Sequence, residues 1–252
     1  MIPSLFALLV LGAVPCSGCK EECLSEMLGT YMLVFIGPAS VVIASLIPYL
    51  SSMESLTFIA LVFGSTVASI IIILGRHSGA HINPAITVAS TFAGIARREL
   101  MVPYVAFQVF GGLLAGLSLK IVFGTLAPSA YLGSTKIATG ITPIEGVVLE
   151  TVGTFILAIS ALSASSFTRH PARQAALVGA TLFGLIMFIG PLTGASFNPS
   201  RSSGPALFSG YYANQLIYWI GPLLGGGLAG LIFGLARKSN GPTRRLRVAC
   251  VC

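Results

Sequence analysis

An all-α membrane protein is predicted, with six transmembrane helices and two re-entrant half-helices arranged as an inverted repeat of three spans plus three. Three observations carry this prediction. The chain of 252 residues is 55% hydrophobic and only 8% charged, with a mean hydropathy of +0.92. Its apolar residues fall into six segments of spanning length. Its two halves repeat the same short motifs in the same order.

The composition sets the solvent. Soluble domains are roughly 25% charged, so water is not the medium for most of this surface. All seven acidic residues are glutamates. The lack of aspartate excludes Asp-built calcium loops, aspartyl phosphates and Asp-containing triads. There is no nucleophile–base pair at suggestive spacing and no phosphate-binding glycine loop, so the sequence does not read as an enzyme and implies no cofactor. The formal net charge of +7 suggests nucleic acid at first sight. However, the charges lie between and after the apolar runs, where they act as topology signals, so nucleic acid is not an expected partner.

A spanning helix needs about 20 mostly apolar residues. The segments that qualify are 24–47, 56–74, 103–123, 144–164, 172–189 and 215–235. The opening run, 2–14, is short and lacks a basic flank, so it reads as a surface or ragged segment. The domain organisation is therefore an N-terminal segment (1–23), a first repeat (24–123), an extracellular connecting loop (124–143), a second repeat (144–235) and a basic tail (236–252). With both termini cytoplasmic, every Lys and Arg falls inside except Lys120, Lys136 and Arg201. That bias fixes the expected orientation of a multi-pass protein, with the plasma membrane as the expected compartment.

Cys16, Cys19 and Cys23 precede the first predicted span, and Cys250 and Cys252 end the chain. An odd count outside the spans gives no disulfide framework. The Cys-x2-Cys-x3-Cys run lacks a fourth ligand nearby, so no metal site is expected. Arg244, Arg245 and Arg247 ahead of the last two cysteines suit palmitoylation, although a solvated tail with free thiols is the plainer reading. Gly29, Gly64, Gly111, Gly112, Gly116, Gly225, Gly226, Gly227 and Gly230 recur within the spans, where small residues let helix backbones approach closely.

The repeat is direct to read. Glu26-Met-Leu-Gly29-Thr30-Tyr31 matches Glu150-Thr-Val-Gly153-Thr154-Phe155. Ser78-Gly-Ala-His81-Ile-Asn83-Pro84 matches Thr193-Gly-Ala-Ser-Phe-Asn198-Pro199. Tyr104, Gly111, Gly112, Ala115 and Gly116 match Tyr218, Gly225, Gly226, Ala229 and Gly230. Three spans per half is an odd number, so the second copy is inverted in the membrane, and such repeats build transport sites at the midplane.

Each Asn-Pro follows a Gly-Ala turn and precedes a short apolar stretch, 85–92 or 200–208. Asn is a favoured N-cap and Pro is tolerated at the first helical position, so Asn83 and Asn198 each start a half-helix. A non-helical approach at membrane depth survives only when buried or lining a wet cavity. Inverted symmetry brings the two N-termini together, each with roughly half a positive charge. Asn83 and Asn198 then present side-chain N–H donors to the lumen. A water oxygen is welcome there and a cation is repelled. Arg201 lies one helical turn beyond Asn198 on the same face. Its counterpart is Ile86, so the charge marks one mouth only, and a charged residue at membrane depth defaults to a functional role.

These residues resemble the aquaporin (major intrinsic protein) family over 24–235. The carriers are Ser-Gly-Ala-His-Ile-Asn83-Pro84-Ala85 and Thr-Gly-Ala-Ser-Phe-Asn198-Pro199-Ser200-Arg201, and Ser200 departs from the usual alanine. Opposed helix dipoles are an established means of cation exclusion in aquaporin-type pores. The resemblance implies a passive channel for water and small neutral solutes in a lipid bilayer, assembled as a homotetramer. It implies a narrow filter of Phe63, Ile186, Ala195 and Arg201. Water-strict members usually carry His where Ile186 stands, which opens glycerol, ammonia, peroxide or metalloid acids as further solutes. Ser202, Ala206 and Tyr218-Trp219 follow the water branch, and water is weighted as the primary substrate.

Glu26 and Glu150 are the intramembrane acids. In the resembled family, equivalent glutamates brace the re-entrant loops by accepting backbone N–H bonds. The competing classes are a proton-coupled transporter using these two groups and an adhesive membrane protein with a closed pore. His81 is expected to line the inner vestibule or to pack in its loop. His170, between Arg169 and Arg173, reads as part of a solvated loop in preference to a pH-sensitive gate.

Overall fold

The computed structural model describes residues 17–126, 128–168 and 170–239. Among these residues the regular structure is entirely helical: α1 (Ser17–Ser45), α2 (Ser52–Ser78), α3 (Pro84–Phe92), α4 (Met101–Phe123), α5 (Pro143–Phe167), α6 (Pro171–Thr193), α7 (Pro199–Ser209) and α8 (Ile217–Ser239), with short 3-10 turns at Arg98–Leu100 and Pro128–Gly133. All but α3 and α7 are long and apolar enough to cross a bilayer. Cys16, Cys250, Cys252, Arg169 and the run 2–14 lie outside the described residues.

The spans start where local chemistry lets them. Ser51 accepts from the Glu54 amide while the Glu54 carboxylate accepts from the Ser51 amide, a capping box that opens α2. Thr142 and Glu145 form the same box at α5, with Pro143 in the first turn. This satisfies otherwise orphaned N–H groups. Gly79 (φ 90°) and Gly194 (φ 78°) end α2 and α6 in the left-handed conformation. The chain thereby turns sharply into each Asn-Pro segment.

The first span begins earlier than its apolar residues suggest. The stretch 17–23 is polar in composition, yet it is helical, with Cys19, Glu22, Cys23 and Glu26 buried along one face and Lys20 and Glu21 exposed. Cys19 and Cys23 therefore lie inside α1, packed with Leu100, Tyr104 and Phe107. An apolarity criterion misses this turn because its inward face carries thiols and carboxylates where a span normally carries aliphatic groups.

Helix packing follows the repeat. α1 packs on α4 as α5 packs on α8, α1 meets α2 as α5 meets α6, and α2 crosses α6. The half-helices are exchanged: α4 of the first repeat packs on α7, and α8 of the second packs on α3. Four glycines make that exchange possible, Gly112 and Gly116 on α4 and Gly226 and Gly230 on α8. A Cβ at Gly112 would lie 2.7 Å from the Ser200 carbonyl, and one at Gly226 would run into the Ala85 carbonyl. Gly227 differs from the expectation, since it meets only the Phe92 ring at 3.8 Å, an ordinary contact that any small residue could make.

Candidate functional site

Two buried glutamates shape the re-entrant loops. Glu26 accepts from Ser78 Oγ (2.6 Å), the His81 amide (2.9 Å), the Ile82 amide and Gln108 Nε2 (2.8 Å). Glu150 accepts from Thr193 Oγ1 (2.7 Å), the Ser196 amide (3.0 Å) and the Phe197 amide (2.7 Å). Tyr104 and Tyr218 complete the brace by donating to the Ser78 and Thr193 carbonyls at 3.0 and 2.9 Å. Both glutamates are fully buried.

Holding the amides this way has a backbone consequence. Ala80, Ile82, Ala195 and Phe197 adopt positive φ (46–53°). Such conformations cost about 1–2 kcal/mol each in non-glycine residues and persist only where the surroundings over-determine them. In a planar trans peptide the carbonyl points opposite to the following N–H. With the 81, 82, 196 and 197 amides directed at carboxylates, the carbonyls of Ala80, His81, Ala195 and Ser196 are turned the other way.

The half-helix tips meet. Asn83 Oδ1 accepts from the Ala85 amide (2.8 Å), and Asn198 Oδ1 accepts from the Ser200 and Arg201 amides (3.0 and 3.3 Å). Asn83 Nδ2 donates to the Phe197 carbonyl (2.7 Å), and Asn198 Nδ2 donates to the Ile82 carbonyl (2.9 Å). Each side-chain amide thus caps its own half-helix and reaches across to the other repeat. An amide NH2 carries two donors. One from each residue makes the bridge, and one remains on each for the lumen-facing role expected from the sequence. Pro84, Ala85, Pro199 and Ser200 form the buried first turns behind the asparagines.

A cavity of about 850 Å³ runs past this junction. At one end it is lined by Arg97, Tyr104 and Gln174, on the face where α1 begins and α8 ends. It continues past His81 and the two asparagines to Phe63, Ala195 and Arg201. Arg201 is 3% exposed, donates from Nη1 to the Gly133 carbonyl (2.9 Å), and sits with Cζ 4.9 Å from the Phe63 ring centroid. Its Nε has no protein acceptor. Ile186 does not line the cavity; it is buried in the same apolar cluster as Phe63 and Ala195. His81 lines the wall, with Nδ1 3.2 Å from Thr87 Oγ1 and its ring edge-on to Tyr104. His170 is exposed ahead of α6.

Several contributors escaped sequence reasoning. Gln108 bridges Glu26 and Thr87 (2.9 Å to Thr87 Oγ1), and a lone amide in an apolar span was the signal for it. Arg97 pairs with Glu22 at the cavity mouth, a role hidden behind its reading as a topology charge. The Gly133 carbonyl had no sequence signal, because its use depends on a loop fold.

Paired half-helices, an inverted repeat and a continuous cavity define a six-span channel. Comparison with known proteins places it. Residues 15–233 match the major intrinsic protein family. The chain is 33% identical over 229 residues to Aquaporin NIP1-1 of Zea mays, covering 90% of this chain and 78% of that protein. It is 36% identical over 231 residues to the putative aquaporin NIP4-1 of Arabidopsis thaliana, with the same coverage. Aquaporin TIP4-1 of Zea mays is 33% identical over 233 residues, 87% of each chain. The fold is similar to the X-ray structure of the aquaglyceroporin from Plasmodium falciparum, with a TM-score of 0.73 at 20% identity over 86% of this chain and 94% of that one. The chain belongs to the major intrinsic protein family, the aquaporins, which are multi-pass membrane channels for water and small solutes.

Proposed function

We propose that this protein is a passive, bidirectional water channel that excludes protons and ions, with Asn83 and Asn198 at its centre. The observation that carries this reading is the reciprocal bridge between Asn83 Nδ2 and the Phe197 carbonyl and between Asn198 Nδ2 and the Ile82 carbonyl. It holds two helix N-termini at one point of the cavity, where their positive ends repel cations. A water oxygen accepting from the remaining asparagine donors has its lone pairs engaged and takes no proton from its neighbour.

Phe63, Ala195 and Arg201 form the filter in this reading, with Ile186 in the apolar cluster that holds Phe63 and Ala195, and His81 lines the opposite vestibule. That vestibule faces the cytoplasm, together with both termini, as the Lys and Arg distribution favours. The working assembly is a homotetramer in the plasma membrane, each protomer with its own pore. An apolar Ile186 in place of a hydrogen-bonding side chain favours a second, broader reading, in which glycerol, ammonia, peroxide or metalloid acids also pass. The carboxylates of Glu26 and Glu150 accept side-chain and backbone donors on both oxygens. That supports a bracing role over proton coupling.

Stopped-flow measurements on proteoliposomes test these readings. A channel gives water flux well above the lipid background with no dependence on a proton gradient. Flux that needs the gradient indicates a coupled transporter, and background flux a closed, adhesive protein. Glycerol, urea and peroxide gradients define the solute range. Ile186→His is expected to lower the glycerol-to-water permeability ratio while leaving water flux in place.

A further inference from the structure

The segment joining α4 to α5 delivers the Gly133 carbonyl to Arg201 through an unusual backbone. Tyr131, Leu132 and Gly133 take φ values of 46°, 54° and 72° in succession. Left-handed runs are disfavoured for L-residues and persist only where contacts enforce them. Part of the enforcement comes from the first repeat and from the segment itself: Leu132 is buried with Ala39 of α1 and Leu119 of α4, and Ser134 donates to the Tyr131 carbonyl from its amide (3.0 Å) and Oγ (2.7 Å). Further contacts cross to the helix that carries Arg201: Ser134 Oγ lies 3.1 Å from Ser209 Oγ, Thr135 Oγ1 lies 2.8 Å from Ser202 Oγ, and a cation–aromatic group joins them. Lys136 Nζ stands 4.0 Å above the Tyr131 ring and 5.4 Å from the ring of Tyr211, just past the end of α7. The two rings are 4.8 Å apart. The same ammonium donates to the Ser129 carbonyl (3.3 Å).

We propose that Lys136, clasped between Tyr131 and Tyr211, is a positioning residue for Arg201. The clasp ties the connecting segment to the α7 terminus and so fixes the distance between the Gly133 acceptor and the Arg201 donor. This rests on the reading of Arg201 as a filter residue. An ammonium over two aromatic faces is attracted by the ring quadrupoles, and Arg preserves that attraction whereas Met does not. With the clasp open, the Gly133 carbonyl drifts from Arg201, the constriction loosens, and solutes larger than water gain more than water does.

Purified full-length protein, its Lys136→Met and Lys136→Arg variants, and Tyr211→Leu are compared by hydrogen exchange and by flux in proteoliposomes. In Lys136→Met and Tyr211→Leu, amide exchange across 129–138 accelerates and the glycerol-to-water permeability ratio rises about two- to fivefold, the factor that one lost exposed cation–π contact carries. Water flux stays near the wild-type value, and Lys136→Arg retains both protection and ratio. Unchanged exchange in Lys136→Met overturns the clasp. Faster exchange with an unchanged ratio, or a proportional loss of all fluxes, overturns its action on the filter. If the wild-type protein itself passes no water, the functional reading fails, and exchange alone still decides whether the clasp exists.

Discussion

Ser200 departs from the pattern of the chain's own first repeat, where Ala85 occupies the equivalent place. Both are fully buried, but the Ser200 hydroxyl has no hydrogen-bond partner. A buried polar group left unpaired costs about 1–3 kcal/mol. Ser200→Ala is therefore expected to raise the thermal stability of the purified protein by about 1 kcal/mol without abolishing water flux, as read by thermal unfolding and stopped-flow light scattering. Glu150 presents the opposite case. Glu150→Gln puts an NH2 where one carboxylate oxygen now accepts, leaving a buried donor unsatisfied at a cost of about 1–3 kcal/mol. The expected outcome is a lower yield of folded protein and a lower melting temperature, with no new pH dependence in the surviving flux. A normally folded Glu150→Gln variant that had lost pH-driven uptake would instead support proton coupling.

The half-helices depend on the spans of the other repeat, through glycines whose Cβ positions are already occupied. Gly112→Ala and Gly226→Ala each drive a methyl into a half-helix carbonyl, and overpacking of this kind typically costs about 1–3 kcal/mol. Gly227→Ala, one residue further along α8, meets only the Phe92 ring at an ordinary contact distance of 3.8 Å. The expected ranking in folded yield is wild type and Gly227→Ala together, with Gly112→Ala and Gly226→Ala well below. The sequence exposed much of this architecture. Span positions and the repeat were legible because apolar length and motif order are properties of sequence alone. The Asn-Pro half-helices were legible because Asn caps and Pro at the first turn act locally. The polar first turn of α1 was not, since its inward face makes sense only once Arg97 and Tyr104 are packed against it. Nor was the Gly133 carbonyl, whose direction is set by three left-handed residues that no composition rule anticipates.

At the scale of the whole molecule, pseudo-symmetry and its violations divide the labour. The symmetric parts are structural: paired glutamates, paired tyrosines, paired asparagines and exchanged half-helices. The asymmetric parts distinguish the two ends of the cavity. Arg201 stands opposite Ile86, and His81 with Thr87 stands opposite Ser196 with Ser202, whose hydroxyls lie 2.6 Å apart. A symmetric scaffold therefore carries Arg201 at one end of the cavity and His81 at the other, and in the proposed channel this asymmetry makes the two mouths different. Passive conduction through the Asn83–Asn198 junction is tested most directly by the temperature dependence of osmotic water permeability in proteoliposomes holding the purified protein. A preformed aqueous pore gives permeability far above protein-free vesicles, with an activation energy close to that of water diffusing in bulk. Permeability equal to the lipid background, with the steep temperature dependence of that background, would contradict it.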